Sequence, residues 1–191
     1  MTSKAYDDHG CVDSGDGRSD PIDVFLPQGG LFVGDASYRI RTLLGSCVSI
    51  TLWHPRMKVG AMSHFLLPTR SAGREVTELD GRYGDEAMQL IVQELRAAGV
   101  LPAQCQAKVF GGGNMFPELA TASSGAALVG QRNGEAARAL LQAHGIGIVS
   151  ESLFGIGYRQ IIFEVGSGDV WAYQVNRSET DGPASAGDNQ A

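Results

Sequence analysis

Cysteine is scarce in this chain: Cys11, Cys47 and Cys105 are all that 191 residues contain, and they share no paired spacing. A zinc site asks for Cys or His clusters two to four residues apart, so none is encoded. An odd, scattered set is equally unlike a disulfide framework, and free thiols in a reducing compartment are expected. Positive charge is also short. The 15 Lys and Arg stand against 21 Asp and Glu with no basic stripe, which argues against a nucleic-acid surface. No apolar run approaches the ~20 residues of a membrane span, and the N-terminus lacks the basic and apolar regions of a signal peptide. A cytoplasmic protein without membrane insertion is the expectation.

The excess negative charge lies at the two ends. Residues 1–20 hold five Asp against Lys4 and Arg18, and residues 178–191 hold Glu179, Asp181 and Asp188 with no base. Both stretches are rich in Gly, Ser, Asp and Ala and poor in large apolar groups, so each is expected to be a disordered tail. The body between them is charge-balanced, and a chain that is 43% hydrophobic supports one domain over residues 21–177.

Within that body, residues 31–33 and 38–44 read as strands around a Gly34-Asp35-Ala36-Ser37 turn. Apolar residues at Met88, Ile91, Val92 and Leu95 have helical spacing and predict a helix over 85–98, capped by Gly99. A second helix is expected from Asn133, a good N-cap, to His144, with Ala137, Leu140 and Leu141 inward. Strands are predicted at 105–110, 146–154, 158–165 and 170–175, separated by glycine-containing turns. The fold class is α+β: a layered sandwich of mixed, mainly antiparallel β-sheets flanked by two or three helices.

The chemistry concentrates in two neighbouring segments, TLLGSCVSITLW (42–53) and KVGAMSHFLLP (58–68). Both are rich in β-branched and apolar residues and flank His54-Pro55-Arg56-Met57, so they read as a β-hairpin. A turn centred between Pro55 and Arg56 sets Cys47 opposite His64, and opposed residues have Cβ atoms about 5 Å apart. Alternation then sends Val48, Ile50, Leu52, Val59, Ala61 and Phe65 to a face to be buried. Cys47, Ser49, Thr51, Lys58, Gly60, Met62 and His64 share the other, mixed and partly polar face. A purely structural cysteine would sit among the valines. A free thiol has a pKa of about 8.5, and a neighbouring imidazole can take its proton and later protonate a leaving amine. The Gly45-Ser46 pair leaves backbone N–H groups at Ser46 and Cys47 to face an oxyanion. A third group would orient the imidazole; Thr42, Ser46 or a backbone carbonyl could serve, and nothing local selects among them.

The remaining candidates read as structural. Gly111-Gly112-Gly113-Asn114 follows a strand without the Lys-Ser/Thr of a P-loop, so a tight turn with close backbone packing is favoured over an anion-binding nest. His54 and His144 are expected to be solvated, and His9 lies in the N-terminal tail. Asp85 and Glu86 suit a helix N-terminus, Cys105 is expected as buried filler, and the loop 69–81 as polar and flexible.

The motifs LLGSCVSITLW, VGAMSHFLLP, GGGNMF and VGQRN, in this order between about residues 30 and 173, resemble the CheD family of chemoreceptor glutamine deamidases. The resemblance implies a layered α/β sandwich that hydrolyses side-chain amides of selected glutamines in the cytoplasmic helices of chemoreceptors, without metal or organic cofactor. It implies Cys47 as the nucleophile and His64 as general base and acid. The threonine of the family's triad stands six positions before the cysteine; Arg41 occupies that position here, and Thr42, one residue later, is the residue assigned the role. A CheC-type phosphatase is the partner implied for some members. Two other readings of the same residues are a cysteine peptidase and a non-catalytic adaptor.

Overall fold

The computed structural model describes residues 20–71, 78–115 and 125–175. Nine strands alternate with two helices: β1 (Ile22–Phe25), β2 (Leu31–Gly34), β3 (Tyr38–Leu44), β4 (Val48–His54), β5 (Val59–Ser63), α1 (Gly84–Ala97), β6 (Gln106–Gly111), α2 (Gly125–Ala143), β7 (Ile148–Leu153), β8 (Tyr158–Glu164) and β9 (Val170–Val175). The strands form a four-stranded sheet, β1-β3-β8-β9, and a five-stranded sheet, β2-β5-β4-β6-β7. The β1–β3 and β6–β7 pairs are parallel and the rest antiparallel, so the sheets are mixed and mainly antiparallel, as expected. Strand β1 has no counterpart in the sequence reading. Its four residues are mostly exposed and too short for alternation to register. The expected tails lie outside the described residues apart from Asp20, 176 and 177 falling outside as well.

Two apolar layers hold the elements together. Val48, Ile50, Leu52, Ala61 and Phe65 pack beneath Ala87, Met88, Ile91 and Leu95 of α1 and Ala137 and Leu141 of α2, all nearly inaccessible to solvent. This is the apolar face read from the hairpin alternation. The second layer lies between the sheets, where Ile40, Leu44, Ile161 and Phe163 of one meet Met62 and Phe110 of the other. Helix α1 packs on β2 and β5, and α2 on β4, β6 and β7. The order of layers is therefore helices, five-stranded sheet, four-stranded sheet.

Glu86, in the first turn of α1, does more than suit a helix dipole. It is buried, pairs with Arg70 at 2.7 Å and 2.8 Å, and accepts the Asp80 N–H at 2.7 Å. The Arg70 guanidinium, opposed by burial, holds the Glu86 carboxyl below its ordinary pKa. The flexible loop expected over 69–81 is thus tied down at both ends; 72–77 lie outside the described residues.

Candidate active site

Residues 42–53 do not form one hairpin arm. The chain leaves the four-stranded sheet at Leu44, crosses through Gly45-Ser46-Cys47 and enters the five-stranded sheet at Val48. Apolar and β-branched content favours strand on both sides of this break but carries no information about a change of sheet. Cys47 therefore sits at a crossover, half-buried, where a side chain can touch both sheets and still meet solvent.

The hairpin register also differs from the expected one. Thr51 pairs with Met62, Leu52 with Ala61 and His54 with Val59, and Val48 bridges Phe65. The turn is centred between Arg56 and Met57: the Lys58 N–H donates to the His54 carbonyl at 2.9 Å, and the four-residue loop is 55–58 rather than 54–57. Ser49 rather than Cys47 lies opposite His64. The shift is by two residues, so facing is unchanged: Cys47 and His64 are diagonal neighbours on one face, a separation that long and aromatic side chains can bridge. That mixed, partly polar face is not open to solvent. It looks inward at the four-stranded sheet, with Ser49, Thr51, Met62 and His64 each at most 2% exposed.

Burial against the second sheet gives His64 a side-chain partner. Thr42 is on the inward face of β3, and its Oγ1 lies 2.8 Å from His64 Nδ1 and 2.7 Å from the Leu26 carbonyl. A threonine hydroxyl has one proton. Given to the Leu26 carbonyl, that proton leaves Oγ1 to accept from Nδ1–H, and Nε2 then carries the lone pair. Nε2 is buried without a hydrogen-bond partner in the protein. The imidazole is held in the tautomer a general base requires. Burial pushes the His64 pKa below its ordinary value, against the Leu26 carbonyl, so the ring is neutral at pH 7. Burial also raises the Cys47 thiol, offset in part by its own backbone N–H. The resting pair is neutral thiol and neutral imidazole.

The loop that carries Cys47 is clamped through its carbonyls. Gly113 N–H donates to Gly45 O at 2.8 Å, Asn133 Nδ2 to Ser46 O at 3.0 Å, and Gly112 N–H to Cys47 O at 2.8 Å. Among the described residues, neither Ser46 N–H nor Cys47 N–H donates to a backbone carbonyl; the Cys47 N–H lies against its own sulfur. The GGGN segment is a close-packed turn: a Cβ on Gly111, whose φ is +114°, would stand 2.2 Å from the Cys47 carbonyl oxygen. Arg159, also buried, braces the same turn by donating to the Gly111 carbonyl at 3.1 Å and to the Phe154 carbonyl.

Two side chains, Asn133 and His54, are not where the sequence put them, and Arg159 had no reading at all. Asn133 is not an N-cap: α2 begins at Gly125 and Asn133 lies in its middle, fully buried. The 125–130 stretch lacks an apolar stripe to announce a helix, but Gly130, with no side chain, lets α2 press on the GGGN turn. Arg159 gave no signal, since an arginine in a strand reads as a surface residue. His54 is buried rather than solvated, its Nδ1 accepting the Met57 N–H at 3.1 Å and its Nε2 lying 3.3 Å from Gln104 Oε1. It locks the hairpin turn. Cys105 is buried as expected, its thiol pushed up to about 11, and His144 is exposed. Cys11 and His9 lie outside the described residues. Among the described residues, no three His, Cys, Asp or Glu cluster to hold a metal ion, and no helix is long and apolar enough to cross a membrane.

Comparison with known proteins adds a family to this geometry. The family model described as "CheD chemotactic sensory transduction" matches residues 66–174. A protein of Albidiferax ferrireducens named "Probable chemoreceptor glutamine deamidase CheD 2" is 62% identical over 164 residues, covering 86% of this chain and 94% of its own. Proteins with the same name, numbered CheD 3 in Dechloromonas aromatica and CheD 1 in Chromobacterium violaceum, are 46% and 44% identical over 150 and 156 residues. These cover 78% and 82% of this chain, and 85% and 79% of the relatives. The family-model match starts two residues after His64. A 164-residue stretch of a 191-residue chain, however, cannot begin after residue 28, so the similarity to the first relative spans Thr42, Cys47 and His64.

Proposed function

The chain belongs to the CheD family, and from that premise we propose that it deamidates glutamine side chains of chemoreceptors to glutamate, with Cys47 as nucleophile, His64 as base and acid, and Thr42 as the residue orienting His64. The carrying observation is the Thr42–His64 hydrogen bond across the two sheets, which leaves Nε2 basic on the face that Cys47 shares.

In this reading the Cys47 thiol gives its proton to His64 Nε2 as sulfur attacks the carboxamide carbon. The oxyanion takes hydrogen bonds from the N–H groups of Ser46 and Cys47, a term worth about 3 kcal/mol per donor where measured. Collapse of the tetrahedral adduct expels ammonia with the proton from His64, leaving a thioester. Water, deprotonated by Nε2, hydrolyses the thioester, releasing glutamate and restoring the thiol. Substrate is the cytoplasmic helical region of a chemoreceptor, so the protein acts in the cytoplasm, and residues 21–177 form the deamidase domain. A CheC-type phosphatase as partner rests on the family resemblance alone. The direct test is conversion of receptor glutamine to glutamate by purified protein, followed by mass spectrometry. Chain cleavage in place of acid gain would establish the peptidase reading instead.

Two further outcomes follow from the His64 environment. Thr42→Val removes the hydroxyl that fixes the ring, and kcat should fall about 100-fold, the order a misplaced catalytic group costs, with Thr42→Ser retaining most activity. Steady-state kinetics on a receptor fragment checks both. His64 works as a base only when neutral, and its folded pKa lies below the ordinary value of 6.5. The acid limb of kcat/KM should therefore lie below pH 6.5. A limb above pH 6.5 would contradict the burial that lowers it.

A further inference from the structure

Asn133 stands in the middle of α2, a place where asparagine is disfavoured by its tendency to compete for backbone hydrogen bonds. It is fully buried, and its Oδ1 has no hydrogen-bond partner in the protein. Its Nδ2 donates to two carbonyls outside the helix, Ser46 O at 3.0 Å and Leu66 O at 2.8 Å. Two carbonyl acceptors fix the amide orientation, because the opposite one would set oxygen against oxygen. An orphaned buried amide oxygen costs stability, so the two donated bonds are held at a disadvantage to the fold.

Their targets explain the arrangement. Ser46 directly precedes Cys47, and Leu66 follows His64 by two residues. One amide group thus ties the nucleophile's loop to the segment leaving the base. Helix α2 can approach this closely because Gly130 has no side chain: a Cβ there would lie 2.5 Å from the Gly112 carbonyl oxygen. Gly112 in turn holds the Cys47 carbonyl. The helix, the GGGN turn and the crossover are one packed unit with Asn133 as its cross-brace. With Cys47 and His64 only diagonal neighbours in the ladder, strand pairing alone does not set their separation.

We propose that Asn133 is a positioning residue that fixes the spacing between the Cys47 thiol and His64 Nε2 by bridging the backbone before one to the backbone after the other. The inference rests on the deamidase reading for the roles of Cys47 and His64. Asn133→Leu keeps approximate volume and removes both donors; Asn133→Ala, which admits water to the two carbonyls, serves if the leucine variant does not fold. In the folded variant kcat for receptor deamidation should fall about 10- to 100-fold with KM within about twofold. A second readout needs no amide substrate: the pH dependence of Cys47 alkylation by iodoacetamide. In the native protein the rate should show a limb set by His64, absent in His64→Ala, and the Asn133 variant should lose that limb. Leu95→Ala, a core change in α1, should lower stability while keeping both kcat and the limb. A folded Asn133 variant with native kcat, or with reduced kcat and an intact His64 limb, would overturn the proposal. Native protein that shows the limb but converts no glutamine would overturn the deamidase reading and leave the positioning role standing. A native profile without the limb would overturn both.

Discussion

Replacing Cys47 with alanine is expected to reduce glutamine-to-glutamate conversion by at least about 10⁴-fold, the scale on which loss of a covalent nucleophile is felt when the rest of the site persists. The fold should be nearly untouched. Cys47 is half-buried at the rim of the inter-sheet layer and, among the described residues, its side chain makes no hydrogen bond to another side chain, so truncation removes one sulfur from a partly solvated place. That separation of effects makes the experiment decisive. Circular dichroism and thermal melting should match the native protein, while mass spectrometry of a receptor fragment shows amide intact. His64→Ala should come close to the same loss, and the double variant should lose little more, because thiol and imidazole act as one unit. Cys105→Ala should keep activity: its thiol is buried in the other apolar layer, beneath the helices. Conversion surviving in Cys47→Ala would remove the nucleophile from the mechanism. The non-catalytic adaptor would then be the surviving account of the fold.

The second large effect concerns stability. Gly111→Ala places a methyl 2.2 Å from the Cys47 carbonyl oxygen at a φ of +114°, a conformation side chains rarely adopt. Backbone strain at such a position costs about 1–3 kcal/mol and overpacking a further 1–3 kcal/mol. A total of about 4 kcal/mol corresponds to a fall in Tm of about 8–16 °C for a domain of this size. Gly99→Ala is the matched control: its φ is +76°, but nothing lies within 4 Å of the added carbon, so only the strain applies. The difference between the two melts isolates the contact with the nucleophile's backbone. Equal melting temperatures would mean that the GGGN turn and the crossover are not packed as described. Whatever structure Gly111→Ala retains should also be poor in activity, since relief of the clash must displace Cys47 or the turn that holds it.

Most of the elements were legible in the chain. Strands β3, β8 and β9 and helix α1 alternate or repeat cleanly enough to be bounded within a residue or two. The apolar stripe of α1 and the buried face of the β4–β5 hairpin were both readable from periodicity. Helix α2 was legible only in its second half, where Ala137, Leu140 and Leu141 mark a face. Its first half offers no stripe, and Gly130, whose lack of a side chain matters to the neighbouring turn, leaves no mark in a pattern. The hairpin register was misread by two residues because the position of the turn is set by hydrogen bonds, Lys58 to His54 and Met57 to His54, that composition does not reveal. The shared face of Cys47 and His64 survived only because an even slip preserves facing.

The sequence alone determined which atoms are available: one cysteine after Gly-Ser in a β-rich region, a histidine 17 residues on, and a threonine close upstream. It also determined, through period-two alternation, that the cysteine and histidine share a face. Only the tertiary structure decided that this face is sealed against a second sheet. From that follow the choice of Thr42 as partner of His64, the neutral imidazole with its free Nε2, and the bracing of Ser46 and Leu66 by Asn133. The physical reason is that alternation reports which side of a strand a residue is on, whereas tautomer, pKa and spacing depend on what the rest of the chain packs against that side.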